Sequence, residues 1–171
     1  MTTITAMIMI MATTITTGTS TINEPGLIGP KTPVKIVLAI VSDKVRLWRR
    51  ILEGHELVFV MTLGEAVHCL AEEDDLRMVI IGVHFDESQM FTLLGDIRAH
   101  PKYRHIPTLV VLSPGQYAFS KIAVEGIERA VMALGANGFL NLDHFPDNAD
   151  GEASIRRIVD YVIATGGGLP T

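Results

Sequence analysis

A single cysteine, Cys69, stands in the 171 residues of the chain. It has no intramolecular partner, so a disulfide scaffold is excluded, and this usage fits a reducing, cytosolic setting. Aromatic residues are scarce as well, 6% of a chain that is 48% hydrophobic. The apolar content is therefore aliphatic, which suits Val/Ile/Leu-rich strands covered on both faces by helices and excludes a disordered, tail-like protein. Basic runs are missing too: no block of consecutive basic residues exceeds a pair such as Arg49-Arg50, and the formal net charge is −5. That balance argues against a nucleic-acid footprint. What remains is a length that predicts one domain able to bury a real core.

The opening of the chain is biased rather than patterned. Nine of the first 21 residues are Thr, four of the eight Met fall there, and no charge precedes Glu24. A secretory signal needs a basic start, yet the first Lys is Lys31, and the apolar run 6–12 is short. Thr interrupts that run long before the roughly 20 apolar residues a membrane crossing needs. Residues 1–33 therefore read as a low-complexity, disordered extension or a mis-set translation start, with a membrane or targeting role the weaker alternative. Pro25, Gly29, Pro30 and Pro33 mark a linker, which puts the domain at 34–165 and leaves 166–171 as a tail. Glu24 and Lys31 cancel, so the whole net charge belongs to the residues after the linker.

From Val34 onward, short aliphatic runs alternate with amphipathic stretches, the pattern of a parallel sheet built from βα units. Strands are predicted at 34–41, 56–61, 78–83, 108–112 and 138–142. The first helix carries Val45, Trp48, Ile51 and Leu52 on one face, with Ser42 or Asp43 as its N-cap. The second, 63–73, carries Leu63, Ala66, Val67 and Leu70; the acidic run 72–75 closes it as a solvated end rather than a metal site. The third, 89–100, carries Phe91, Leu94, Ile97 and Arg98 and is stopped by Pro101. The fourth, 119–134, ends at Gly135 in a left-handed cap. The last, 152–164, has Ile155, Ile158, Val159, Val162 and Ile163 on one stripe. Five such units give an α/β fold, a doubly wound five-stranded parallel sheet of flavodoxin-like (βα)5 type with strand order 2-1-3-4-5. Its ligands would lie beyond the carboxyl ends of the strands.

The stretch 78–113, MVIIGVHFDESQMFTLLGDIRAHPKYRHIPTLVVLS, resembles the third strand, third helix and fourth strand of response-regulator receiver domains, the CheY-like family. The phrase Ile97–Pro101, the entry Ile106-Pro107 and the Gly135-Ala136 step before the fifth strand carry the likeness, which extends over about residues 34–165. The resemblance implies phosphoryl transfer from a histidine kinase to an aspartate at the end of strand three. Mg²⁺ held by neighbouring acids neutralises the charge, and a Ser or Thr after strand four and a Lys after strand five bind the phosphoryl oxygens.

Position by position, that chemistry is not here. The acceptor position falls on Gly82 and the lysine position on Leu142. The hydroxyl position falls on Leu112, or on Ser113 after a one-residue slip. The acid pair falls on Ser42-Asp43 by the strand end, or on Ile40-Val41 by the helix, so Asp43 is the one carboxylate that can survive. This combination predicts a degenerate pseudo-receiver with no catalytic residue, whose residual pocket is Ser42, Asp43, Asp86 and Ser113.

Three functions compete. The first is a non-enzymatic, phosphorylation-independent interaction module in a two-component phosphorelay. It would act in the cytoplasm without nucleic acid, membrane, metal or cofactor, and its protein partner would be a histidine kinase or a signalling effector, with homodimerisation left open. The resemblance implies the face of the fourth helix, fifth strand and fifth helix, where Lys121, Glu125, Glu128 and Arg129 would set partner choice. The second is an active phospho-acceptor using Asp86, with Asp43 or Glu87 holding Mg²⁺; the simpler account makes Asp86 a cap for the helix near Ser88. The third is a flavodoxin-type small-molecule binder, against which stands the missing Gly-rich loop after strand one. The six histidines lack the spacing of metal ligands and read as surface or loop residues, Cys69 as a buried inert thiol, and Trp48 as core.

Overall fold

A computed structural model of the chain describes residues 32–114 and 119–168. Of the proposed extension, 1–33, residues 1–31 lie outside the described residues, as do 115–118 and the last three positions. Five strands form one all-parallel sheet in the order β2-β1-β3-β4-β5. They are β1 (Lys35–Ala39), β2 (Glu56–Val60), β3 (Leu76–Gly82), β4 (Thr108–Leu112) and β5 (Gly138–Asn141). The helices are α1 (Val45–Ile51), α2 (Leu63–Glu72), α3 (Met90–Ala99), α4 (Lys121–Ala133) and α5 (Ala149–Thr165). The fold and the strand order are those the sequence predicts.

Alternation along the strands divides the core. Val37, Val79, Ile81, Val110 and Leu112 pack with α2, α3 and α4 on one face. Ile36, Leu38, Ile40, Met78, Ile80, Leu109, Val111 and Leu140 pack with α1 and α5 on the other. Both faces are covered, which is why the strands read as continuous aliphatic runs rather than alternating ones. Trp48 is fully buried among the second set, and its indole Nε1 has no hydrogen-bond partner among the described residues.

Several boundaries and faces differ from expectation. Strand β3 starts two residues early because Leu76 is buried, although exposed Arg77 interrupts the apolar run. Helix α5 starts at Ala149 rather than 152, because the Asn148 side chain accepts from the backbone N–H groups of Asp150 and Gly151. On α2, Val67 is exposed and Cys69 takes its place in the core; burial pushes the Cys69 thiol pKa up, as befits an unreactive thiol. On α3, Phe91 is partly exposed while Met90 and Leu93 are buried. Gly135 does adopt the left-handed conformation after α4, at φ +91°.

Arg98 knits together the amino ends of β4 and β5. Its Nε donates to the Gly135 carbonyl at 2.9 Å, Nη1 to the Ile106 carbonyl at 3.1 Å, and Nη2 to Asn137 Oδ1 at 3.2 Å. Asn137 Oδ1 also accepts from Thr108 N–H, at 2.8 Å. The opposite edge of the sheet is left for the loops that follow each strand.

Candidate functional site

Strand β3 lies between β1 and β4, so their three carboxyl ends form one row at the edge where a ligand would sit. Gly82 is the last residue of β3 and pairs with Val111. A Cβ built on it would meet the Ala39 carbonyl oxygen and Ile40 Cγ2, each at 3.6 Å, which is ordinary contact. Space and backbone conformation therefore permit a side chain at Gly82; the sequence supplies none.

The residue facing Gly82 is Ile40, 2% exposed and part of the core on the α1 and α5 side. Ser42 and Asp43 lie further along, both exposed, in a 3-10 turn of residues Ser42–Lys44. The register next to Gly82 is thus the one that puts apolar Ile40 beside it. Neither Ser42 nor Asp43 caps α1 as expected: the turn runs directly into the helix, Lys44 stands at the N-cap position, and no side chain accepts there.

Lys44, which the sequence did not single out, reaches across this row. Its Nζ donates to the Pro114 carbonyl oxygen at 3.0 Å and pairs with Asp43 Oδ2 at 3.2 Å. The ammonium joins the exit of β1 to the exit of β4, and β3 runs between those two strands. Nothing local announces this bond, since its partners are 70 residues apart.

Asp86 is committed elsewhere too. Its Oδ2 accepts from the Leu63 backbone N–H at 2.7 Å, so it caps α2 and not the helix that follows it, contrary to expectation. Thr62 and Glu65 complete that helix start as a reciprocal capping box, a Thr-x-x-Glu signal readable in the sequence. To place the Asp86 carboxylate there, Asp86, Glu87 and Ser88 take φ of 40°, 54° and 75°. Three consecutive non-glycine residues in the left-handed region store roughly 1 kcal/mol or more each.

At the other strand ends, Leu112 is buried and closes β4, and Ser113, partly exposed, is the first residue beyond it. Leu142 begins a 3-10 turn after β5 and is buried with Leu140, Phe145 and Ile155. His84 stacks on Phe119, with ring centroids 5.4 Å apart at 14°. Of the residues expected on the interaction face, Lys121, Glu125, Glu128 and Arg129 are all exposed on α4, and Lys121 and Glu125 approach to 3.9 Å. Ile122 beside them is 83% exposed, and Val131 is the one buried residue of the helix. The beginning of the lengthened segment, 116–118, lies outside the described residues.

The remaining candidates are structural. In the acidic run, Glu73 Oε2 accepts from Lys35 at 2.8 Å and Asp74 pairs with Lys102, which holds the Asp74 carboxyl below its ordinary pKa. His100 Nδ1 accepts from Lys102 and Tyr103 backbone N–H groups, each at 3.2 Å. His55 is not a surface histidine: its side chain is buried against Asp160 and Val34 N–H. Among the described residues no three His, Cys, Asp or Glu side chains are grouped to hold a metal ion, and no helix is long and apolar enough to cross a membrane.

No protein-family model and no curated protein matches the chain. Solved structures do match its fold. The phosphorylated cyanobacterial phytochrome response regulator RcpA superposes with a TM-score of 0.62 at 18% identity, covering 82% of this chain and 100% of that one. The Mn²⁺-bound form of response regulator Rcp1 gives 0.57 at 16% identity, covering 81% and 100%. A response regulator from Thermotoga maritima gives 0.58 at 17%, covering 78% and 99%. The fold is that of a receiver domain. The divalent cation that this fold implies does not suit the residues present: Ile40 stands beside Gly82, Asp43 is paired with Lys44, and the Asp86 carboxylate caps α2.

Proposed function

We propose that this chain is a receiver-like module of a two-component signalling system that works without phosphorylation, as a non-enzymatic surface for a protein partner. The observation that supports this most is the composition of the carboxyl edge. The position for a nucleophile is Gly82, its neighbour is Ile40, and the position for a charge-neutralising lysine is Leu142, turned into the core. A phosphoryl acceptor needs a carboxylate within bonding reach of both a cation and the donor, and loss of several such groups removes far more than any single substitution would. The surface left to do work is that of α4, with Lys121, Glu125, Glu128 and Arg129 around exposed Ile122. Charges so placed steer and select a partner such as a histidine kinase or effector more than they add affinity. The cytoplasm is the compartment this function requires.

The test is incubation of the full chain with Mg²⁺ and a small phosphodonor, followed by intact mass. The expected result is no phosphate adduct. An adduct abolished in Asp86→Ala would instead establish Asp86 as a displaced acceptor and end the phosphorylation-independent account.

A further inference from the structure

Two contacts among the described residues flank the entry of α4, and both come from the edge where a receiver would hold its phosphoryl group. One is Lys44 Nζ to the Pro114 carbonyl oxygen, 3.0 Å. The other is the stack of His84 on Phe119, 5.4 Å between centroids. Pro114 is the second residue after β4, and Phe119 precedes Ser120, whose Oγ accepts from Ala123 N–H at 3.2 Å to cap α4. Lys44 follows β1 and His84 follows β3, so the exits of two central strands hold the two sides of the β4–α4 connection.

We infer that Lys44 and His84 are positioning residues that set α4, and with it the exposed face of Ile122, Glu125 and Glu128, by contacts internal to the chain. The inference rests on the phosphorylation-independent function above and supplies its regulation: the edge is built to hold one arrangement. Physical reasons favour Lys44 in this role. Its side chain is 24% exposed, and its ammonium makes a charge-assisted bond to the carbonyl of exposed Pro114. Its partner Asp43 is bound within the same turn, which keeps the ammonium from swinging away. Helix α4 packs on the core through buried Val131 and half-buried Val124 and Ile127, while its first turn, with Lys121 and Ile122 exposed, has no buried residue of its own. Contacts at its entry therefore bear on the order of that first turn.

Hydrogen exchange by mass spectrometry on the full chain tests this, comparing the wild type with Lys44→Met, Lys44→Arg, Phe119→Ala and the exposed α1 control Arg46→Met. Lys44→Met and Phe119→Ala are expected to raise exchange in peptides covering 119–130 by roughly fivefold, the factor that loss of one modest contact carries. Lys44→Arg, which can still donate to the Pro114 carbonyl, and Arg46→Met keep the wild-type rate. The inference is overturned by an unchanged rate at 119–130 in Lys44→Met, by an equal rise in Lys44→Arg or Arg46→Met, or by a rise spread evenly over β1, β3 and β5. Its failure is separable from that of the proposed function: a phosphate adduct would remove the latter while leaving the exchange pattern as predicted.

Discussion

Arg98→Met removes a guanidinium that holds four separate acceptors while keeping most of the apolar stem. Two of these acceptors, the Ile106 carbonyl at 3.1 Å and Asn137 Oδ1 at 3.2 Å, are partly buried. The other two, the carbonyls of Gly135 at 2.9 Å and Arg104 at 3.4 Å, are exposed and can turn to water. Hydrogen bonds to a charged group contribute about 1.5–3 kcal/mol each, so the two partly buried ones set a gross loss of about 3–6 kcal/mol. Against this stands the cost of desolvating the cation, visible in the burial that lowers the Arg98 pKa with no carboxylate to offset it. The net expectation is destabilisation by about 2–4 kcal/mol, which at a urea slope of about 2 kcal/mol per molar lowers the midpoint by about 1–2 M. Arg98→Lys recovers less than half, since one ammonium cannot span the fork of acceptors. Equilibrium urea unfolding followed by Trp48 fluorescence reads the effect, with exposed Arg157→Met as the control. A midpoint for Arg98→Met equal to that of Arg157→Met would refute the reasoning.

Two further perturbations test other parts of the fold. A Cβ on Gly151 would lie 1.9 Å from the Pro146 carbonyl oxygen, a backbone atom that cannot swing aside, so Gly151→Ala is expected to cost about 3 kcal/mol or more and to fray the start of α5; a thermal midpoint within 2 °C of wild type, on a scale where about 1 kcal/mol moves a domain of this size by several degrees, would contradict this. Arg50 Nε donates to both Glu152 carboxylate oxygens at 2.8 Å, and this bond lowers the Glu152 pKa. A lowered folded value means that the pair stabilises fully above the unfolded glutamate pKa and loses its effect as pH falls through the folded one, so Glu152→Gln should flatten stability against pH below about 5 and change nothing in the slope above about 6. Urea midpoints measured between those limits decide it, and an unaltered acid limb would sink the assignment.

The two-sided burial of the strands, the helix stripe of α5 and the places of Gly82 and Leu142 at the carboxyl ends of β3 and β5 were legible because each is carried by residues adjacent in sequence or fixed by a strand end. Where local signals conflicted, the boundaries slipped. Exposed Arg77 split the β3 run, and Asn148 capped α5 earlier than the apolar stripe alone suggested. The capping box of Thr62 and Glu65 was available locally and would have fixed the start of α2. The contacts made by Asp86 and Lys44 were not legible at all. Asp86 bonds to Leu63 across 23 residues and Lys44 to Pro114 across 70, and neither side chain differs in type from an ordinary solvated loop residue. This asymmetry has a physical origin. The residue type at a strand end is a property of one position once the sheet fixes that position, whereas a tether is a property of two loops whose approach depends on every strand between them. Asp43 and Asp86 both lie near the carboxyl edge, yet one is paired with Lys44 and the other accepts from an α2 N–H. Chemistry at such an edge is decided by which side chains have uncommitted lone pairs converging on one point, and here Asp43 and Asp86 are already engaged with Lys44 and the α2 N–H.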